Sequence, residues 1–302
     1  MILKTQQSRR SGLNLTEVLI VVAIIVILAL ISFPAVLRAR DVGNRIVCAS
    51  NLEQIGTALF TYQGEYGAFP PGGVDGPMPK AGVRNGTSHG WAQFILSGLG
   101  RDDLARQYRW DQNWDSGANL AVVQTRLGVM ECPSAPKGRT GSRGAAISDY
   151  GALYSFSSDL IGAGFADRVA NREGVLVPNQ RVRLDEIYDG ASYTITVAED
   201  AGRPQAWRAG RLVANSGISG GAWGDRKNSY IVHGFTYDGA KTPGPAAVNA
   251  TNNNEVYGFH PGGANVLFAD RSVRFVPRTV DIRLFNRLVT RDGREPISGL
   301  DF

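Results

Sequence analysis

"SGLNLTEVLIVVAIIVILALISFP" runs from Ser11 to Pro34. The sixteen residues from Val18 to Phe33 include one polar side chain, Ser32, and the apolar run extends over twenty-five residues from Leu13 to Leu37. At about 1.5 Å of rise per residue, such a helix crosses a hydrocarbon layer of about 30 Å. A cleaved secretory signal fits poorly, because the apolar core is too long and no Ala-x-Ala site follows it. Glu17 does not belong in lipid. An acidic residue costs about 2.5 to 3.5 kcal/mol at a membrane helix centre and less near an end, so its presence points to function. The plainer alternative is that Glu17 lies at the interface and reaches water.

The chain has 302 residues, 43% of them apolar and 20% charged, which is globular composition with room for one large domain or two small ones. Its formal charge is +5, but Lys4, Arg9 and Arg10 precede the apolar run and residues 1–12 contain no acid, so only +2 remains on the rest. The other basic residues are scattered, and no nucleic-acid partner is expected. Lys4, Arg9 and Arg10 on one side face Arg38, Arg40 and Arg45 on the other, so charge alone does not orient the span.

Glu17 stands five places after Gly12 and Pro34 twenty-two after it, which resembles the type IV prepilin signature. The resemblance implies a leader, residues 1–12, removed after Gly12 by a prepilin peptidase, and methylation of the new N-terminus at Leu13. It also implies an N-terminus in the cytoplasm, a single pass of the inner membrane, and an exported C-terminal domain. Pilins usually begin with Phe or Met where this chain has Leu13. In a pilin-like bundle the freed amine of one subunit pairs with Glu17 of a neighbour, which turns two charges costly in lipid into an assembly register. The partners implied are the peptidase, other pilin-like subunits and the bilayer, in a type IV pilus or a type II secretion pseudopilus.

Beyond Pro34, Leu52, Ile55, Leu59 and Tyr62 recur at helical spacing and form a stripe on which a domain can pack. The helix is expected over 13–67, stopping near Gly64 to Gly67 before Pro70-Pro71-Gly72-Gly73. Residues 68–302 alternate short β-like runs with Gly-, Pro- and Asn-rich segments. The predicted fold is α+β: a long N-terminal membrane-spanning helix packed on an antiparallel β-sheet domain with long loops. The clearest strands are "YTITVAE" (Tyr193 to Glu199) and the hairpin "GANVLFADRSVRFVP" (Gly263 to Pro277), whose turn at Asp270-Arg271 would be easier with Gly at Arg271. "DIRLFNRLV" (Asp281 to Val289) reads as a short terminal helix.

These strands, with "NLEQIGTALFTYQGEYGAFPP", "ECPSAP", "LDEIYDGASYTITVAED", "HPGGANVLFADRSVRFV" and "TRDGREPI", resemble a secreted prepilin-like bacterial family of unknown function. Its C-terminal signature is His, nine residues, Asp-Gly. His260 and Asp270 have that separation, with Arg271 in place of the Gly. The resemblance implies a pilin-like helix with an elaborated antiparallel domain and no assigned reaction. Some members are catalogued as resembling solute-binding proteins, so the alternative function is an anchored extracytoplasmic module that binds a solute or polymer and does not assemble.

Candidate chemistry is sparse, and no enzymatic activity is expected. The histidines are His89, His233 and His260; Pro261-Gly262-Gly263 suggests that His260 anchors a turn rather than pairing catalytically with Asp270. "GISGG" (Gly217 to Gly221) fits G-x-S-x-G, but no strand is expected before it nor a helix after it. "SAPK" (Ser134 to Lys137) fits S-x-x-K, yet Pro133 and Pro136 prevent the helical turn that motif needs. "DQNWDSG" spaces Asp111, Asn113 and Asp115 like a weak calcium loop without the Glu of an EF-hand, and the simpler reading is a turn over Trp110 and Trp114. Trp91, Trp207 and Trp223 read as core or interface.

Two cysteines, Cys48 and Cys132, offer no C-x-x-C and no Cys/His cluster in sequence, so no zinc site is expected, and the weak calcium loop at Asp111, Asn113 and Asp115 is the one cofactor candidate. In an exported domain they can form one bridge closing a loop of about 85 residues, worth up to about 4 to 5 kcal/mol, or remain two buried thiols.

Overall fold

The computed structural model describes residues 14–78 and 83–297. The expected processing point, Gly12-Leu13, lies outside the described residues. The first element among the described residues is a 52-residue helix, α1 (Leu15–Tyr66), which contains Pro34. Glu17 occupies its first turn. The β-branched residues that fill this stretch are indifferent helix formers in water, but in lipid a helix satisfies every backbone group of a lone segment internally. α1 is long and apolar enough to cross a membrane.

The chain divides into two units, the first ending at Gly43 and the second starting at Asn44. In the first, the large aliphatic side chains from Leu15 to Val42 that line its surface are between 41% and 73% exposed. In the second, the stripe read from the sequence is covered: Leu52, Ile55, Leu59 and Tyr62 are all buried, and so is Cys48 one turn before them. Gly67 adopts φ +73° and its N–H bonds the Gln63 carbonyl at 2.8 Å, the left-handed stop that glycine allows.

The second unit continues through β1 (Gly73–Asp75) paired with β2 (Ser88–Gly90), then the short helices α2 (Asp102–Gln107) and α3 (Gly117–Val123). Next come β3 (Tyr150–Phe156), α4 (Ser158–Gly162), β4 (Ile195–Glu199), the hairpin β5 (Gln205–Arg208) and β6 (Arg211–Gly217), and β7 (Ser229–Val232). β8 (Gly263–Phe268), β9 (Val273–Pro277) and α5 (Ile282–Arg287) follow. The main sheet has the order β7-β3-β4-β8-β9. Its neighbours are antiparallel, as expected, except that β7 joins β3 in parallel. A strand, β6, does precede the "GISGG" stretch, contrary to the sequence reading.

Each face of the sheet supports a core. Val197 and Leu267 pack in one cluster with the α1 stripe, whereas Ile195, Ala198, Val266 and Phe268 pack in another with Ile282 and Phe285 of α5. Burial on both faces explains why β4 and β8 are covered along their whole length instead of alternating. α1 approaches the β8–β9 hairpin closely: a Cβ on Gly56 would stand 2.8 Å from Leu267 Cδ1. The hairpin turn adopts φ +74° at Arg271, where glycine was missed, and the guanidinium of this residue lies 4.9 Å from the centroid of Phe60 on α1. The edge strand β9 carries Arg274, 4.4 Å over Phe268, and ends at Pro277.

Candidate functional site: a buried cysteine, histidine and glutamate cluster

Cys48 lies one helical turn before Leu52, on the face of α1 that the domain covers. Across from it, 3.6 Å separates Cys132 Sγ from His260 Nε2, and Glu199 Oε1 lies 3.1 Å from that nitrogen. One donor atom from each of Cys48, Cys132, Glu199 and His260 falls within 4.8 Å of the others, and all four residues are buried. Two sulfurs, an imidazole nitrogen and a carboxylate oxygen thus converge from four separate segments.

Local structure fixes each group. Glu199 closes β4, and its Oε2 accepts the Asn265 backbone N–H at 2.8 Å while Oε1 accepts Asn265 Nδ2 at 3.0 Å. His260 sits in the turn before β8, and its second nitrogen, Nδ1, faces Ser134 Oγ at 3.5 Å. The Cys132 backbone N–H donates to Asp149 Oδ2 at 2.9 Å. Asp149 is held by a buried, bidentate pair with Arg139 at 2.7 and 2.9 Å, and Arg139 also donates to the carbonyls of Pro136 and Arg203. Asn51 Nδ2 donates to the Tyr150 hydroxyl at 3.2 Å, which in turn reaches the Cys48 carbonyl at 3.5 Å.

The electrostatics follow from that packing. The hydrogen bond with Cys48, together with burial, pushes the Cys132 thiol up. Burial pulls the His260 imidazole down, but its contacts with Cys132 and Glu199 outweigh it and raise the group to about 10. Burial and the neighbouring cysteines push the Tyr150 phenol well up.

His260 is not aligned with Asp270: Asp270 Oδ1 accepts the N–H and hydroxyl of Ser272 at 2.8 and 2.6 Å and caps the hairpin turn, while His260 pairs with Glu199. The two cysteines do meet, and both are buried and free in this structure. The absence of a Cys/His cluster held only along the sequence; the fold assembles one. Glu199 was missed, although an acid inside a fully buried strand was its signal.

The weak calcium candidates are engaged separately. Asp111 lies 3.5 Å from Arg109, Asn113 Oδ1 accepts the Ser88 N–H at 2.8 Å, and Asp115 lies 3.8 Å from Arg143. His89 is buried beside Tyr108, whose hydroxyl is 2.6 Å from Nδ1, and near Trp110. His233 pairs with the buried Glu255 at 3.2 Å. Trp91 and Trp223 are fully buried, as a core role requires.

Residues 38–283 match the family described as a protein of unknown function, DUF1559. No curated protein and no solved structure matches the chain. The match spans most of the sequence, and the chain belongs to that family.

Proposed function

We propose that this member of the DUF1559 family is an exported, membrane-anchored, pilin-like structural subunit, processed after Gly12 and assembled through its N-terminal helix. The observation that carries the reading is the exposure of α1: from Leu15 to Val42 its large aliphatic side chains are uncovered within their own unit. Such a surface requires lipid or other apolar helices. The spacing of Gly12, Glu17 and Pro34 supports the further step from anchor to subunit. Glu17 then meets the freed amine of a neighbouring copy, and the prepilin peptidase and sister subunits are the partners. The domain lies outside the inner membrane, with the N-terminus in the cytoplasm.

The competing reading, an anchored binding module, draws support from an open pocket bordered by Asp75, Trp114, Asp225, Arg226 and Lys227. Glu17→Leu separates the two. It is expected to abolish incorporation into filaments while the anchored domain stays folded, and mass spectrometry of the mature protein is expected to find Leu13 at the N-terminus. Normal assembly of the Glu17→Leu protein, or an intact Met1, refutes the subunit reading.

A further inference from the structure

A disulfide or simple burial accounts for two adjacent cysteines. Neither accounts for an imidazole and a carboxylate aimed at the same point from other parts of the fold. We propose that Cys48, Cys132, Glu199 and His260 bind one zinc ion, which fastens the second unit's portion of α1 to the sheet and the turn beneath it.

The donor set fits the ion. Thiolate with imidazole and carboxylate favours zinc over the hard cations, which prefer all-oxygen sites. A tetrahedral zinc with bonds of about 2.3 Å to sulfur and about 2.0 to 2.1 Å to nitrogen and oxygen sets sulfur–nitrogen edges of about 3.6 Å and nitrogen–oxygen edges of about 3.4 Å. The observed separations are 3.6 Å for Cys132 Sγ to His260 Nε2 and 3.1 Å for His260 Nε2 to Glu199 Oε1. Small side-chain shifts therefore complete the shell.

The surroundings resemble those of a built metal site. A ligating histidine normally engages its other ring nitrogen, and His260 Nδ1 faces Ser134 Oγ while Nε2 points to the cluster. Asn265 orients both Glu199 oxygens, and the Asp149–Arg139 pair fixes the backbone at Cys132. Four buried protein ligands leave no place for water or substrate, so the ion is structural rather than catalytic. A surface pocket bordered by Glu131, Cys132, Pro136 and Arg139 lies beside the cluster at Cys132. Binding replaces the two thiol protons and the proton on Nε2, which leave to solvent as the ion enters. The inference is independent of filament assembly: it applies equally to an anchored binding module.

The test uses the full chain purified in detergent without added reductant. Elemental analysis is expected to find one zinc per chain. Exchange with cobalt(II) is expected to give tetrahedral d–d bands together with sulfur-to-cobalt charge transfer, and both thiols should resist alkylation until a chelator is added. Ser134→Ala, which leaves all four ligands in place, is expected to weaken cobalt binding about tenfold. His260→Cys should retain the metal and intensify the charge-transfer band, which a purely packing role for His260 does not predict. Metal-free wild-type protein overturns the proposal, whether its thiols alkylate freely or peptide mapping finds Cys48 joined to Cys132. So does bound cobalt without thiolate charge transfer.

Discussion

Leu52→Ala is the sharpest probe of α1, because the same helix carries aliphatic residues in two opposite settings. Leu52 is fully buried against the sheet, in one cluster with Val197, Leu267 and Trp91. Removing three carbons at about 0.8 kcal/mol each costs about 2.4 kcal/mol, and a partly collapsed cavity adds about 1 kcal/mol or more. The expected loss is therefore about 3 to 4 kcal/mol. Val22→Ala, at a site 50% exposed in the first unit, is expected to leave the domain's stability unchanged within about 0.5 kcal/mol. Denaturation of both variants in detergent, followed by tryptophan fluorescence, measures the difference, since Trp91 and Trp223 are buried in that same cluster. A cost below about 1 kcal/mol for Leu52→Ala, or equal costs for the two variants, would refute the assignment of the stripe to the core.

Asp149→Ala strips the buried Arg139 of its partner, and loss of one member of such a pair is expected to cost about 3 to 5 kcal/mol; a midpoint shift under about 1 kcal/mol in chemical denaturation sinks the clamp at Cys132. His89, held by burial at about 4 instead of near 6.5, binds fewer protons folded than unfolded, so its contribution is complete above pH 6.5 and falls by up to about 3 kcal/mol as pH drops through 4. Asp200 and Glu255, raised by burial to about 8 and about 7, slope the opposite way, so the measurement is the difference in stability between wild type and His89→Gln across pH 4 to 7. Parallel pH profiles for the two proteins contradict the burial argument.

What could be read from the sequence was whatever is local. Leu52, Ile55, Leu59 and Tyr62 announce their shared face because helical periodicity needs only neighbours, and the β8–β9 hairpin announces itself by alternation around a short turn. The missing glycine at Arg271 correctly marked a strained position, whose φ is +74°. Its stacking on Phe60, a residue far away along the chain, could not be read. The same limit hid the parallel pairing of β7 with β3 and the meeting of Cys48, Cys132, Glu199 and His260. His260 was noticed through its spacing from Asp270, yet its side chain answers to Glu199, a partner that only strand pairing brings near. Spacing signals work along one segment and lose force across a sheet.

The outer margin of β9 has a bearing on crowding. An open strand edge is a template for a foreign strand, and exposed sheets aggregate through such edges. Here the margin ends in Pro277, which has no N–H to offer, and carries Arg274, whose charge sits over Phe268. Copies of the domain brought side by side are thereby discouraged from joining sheet to sheet through β9.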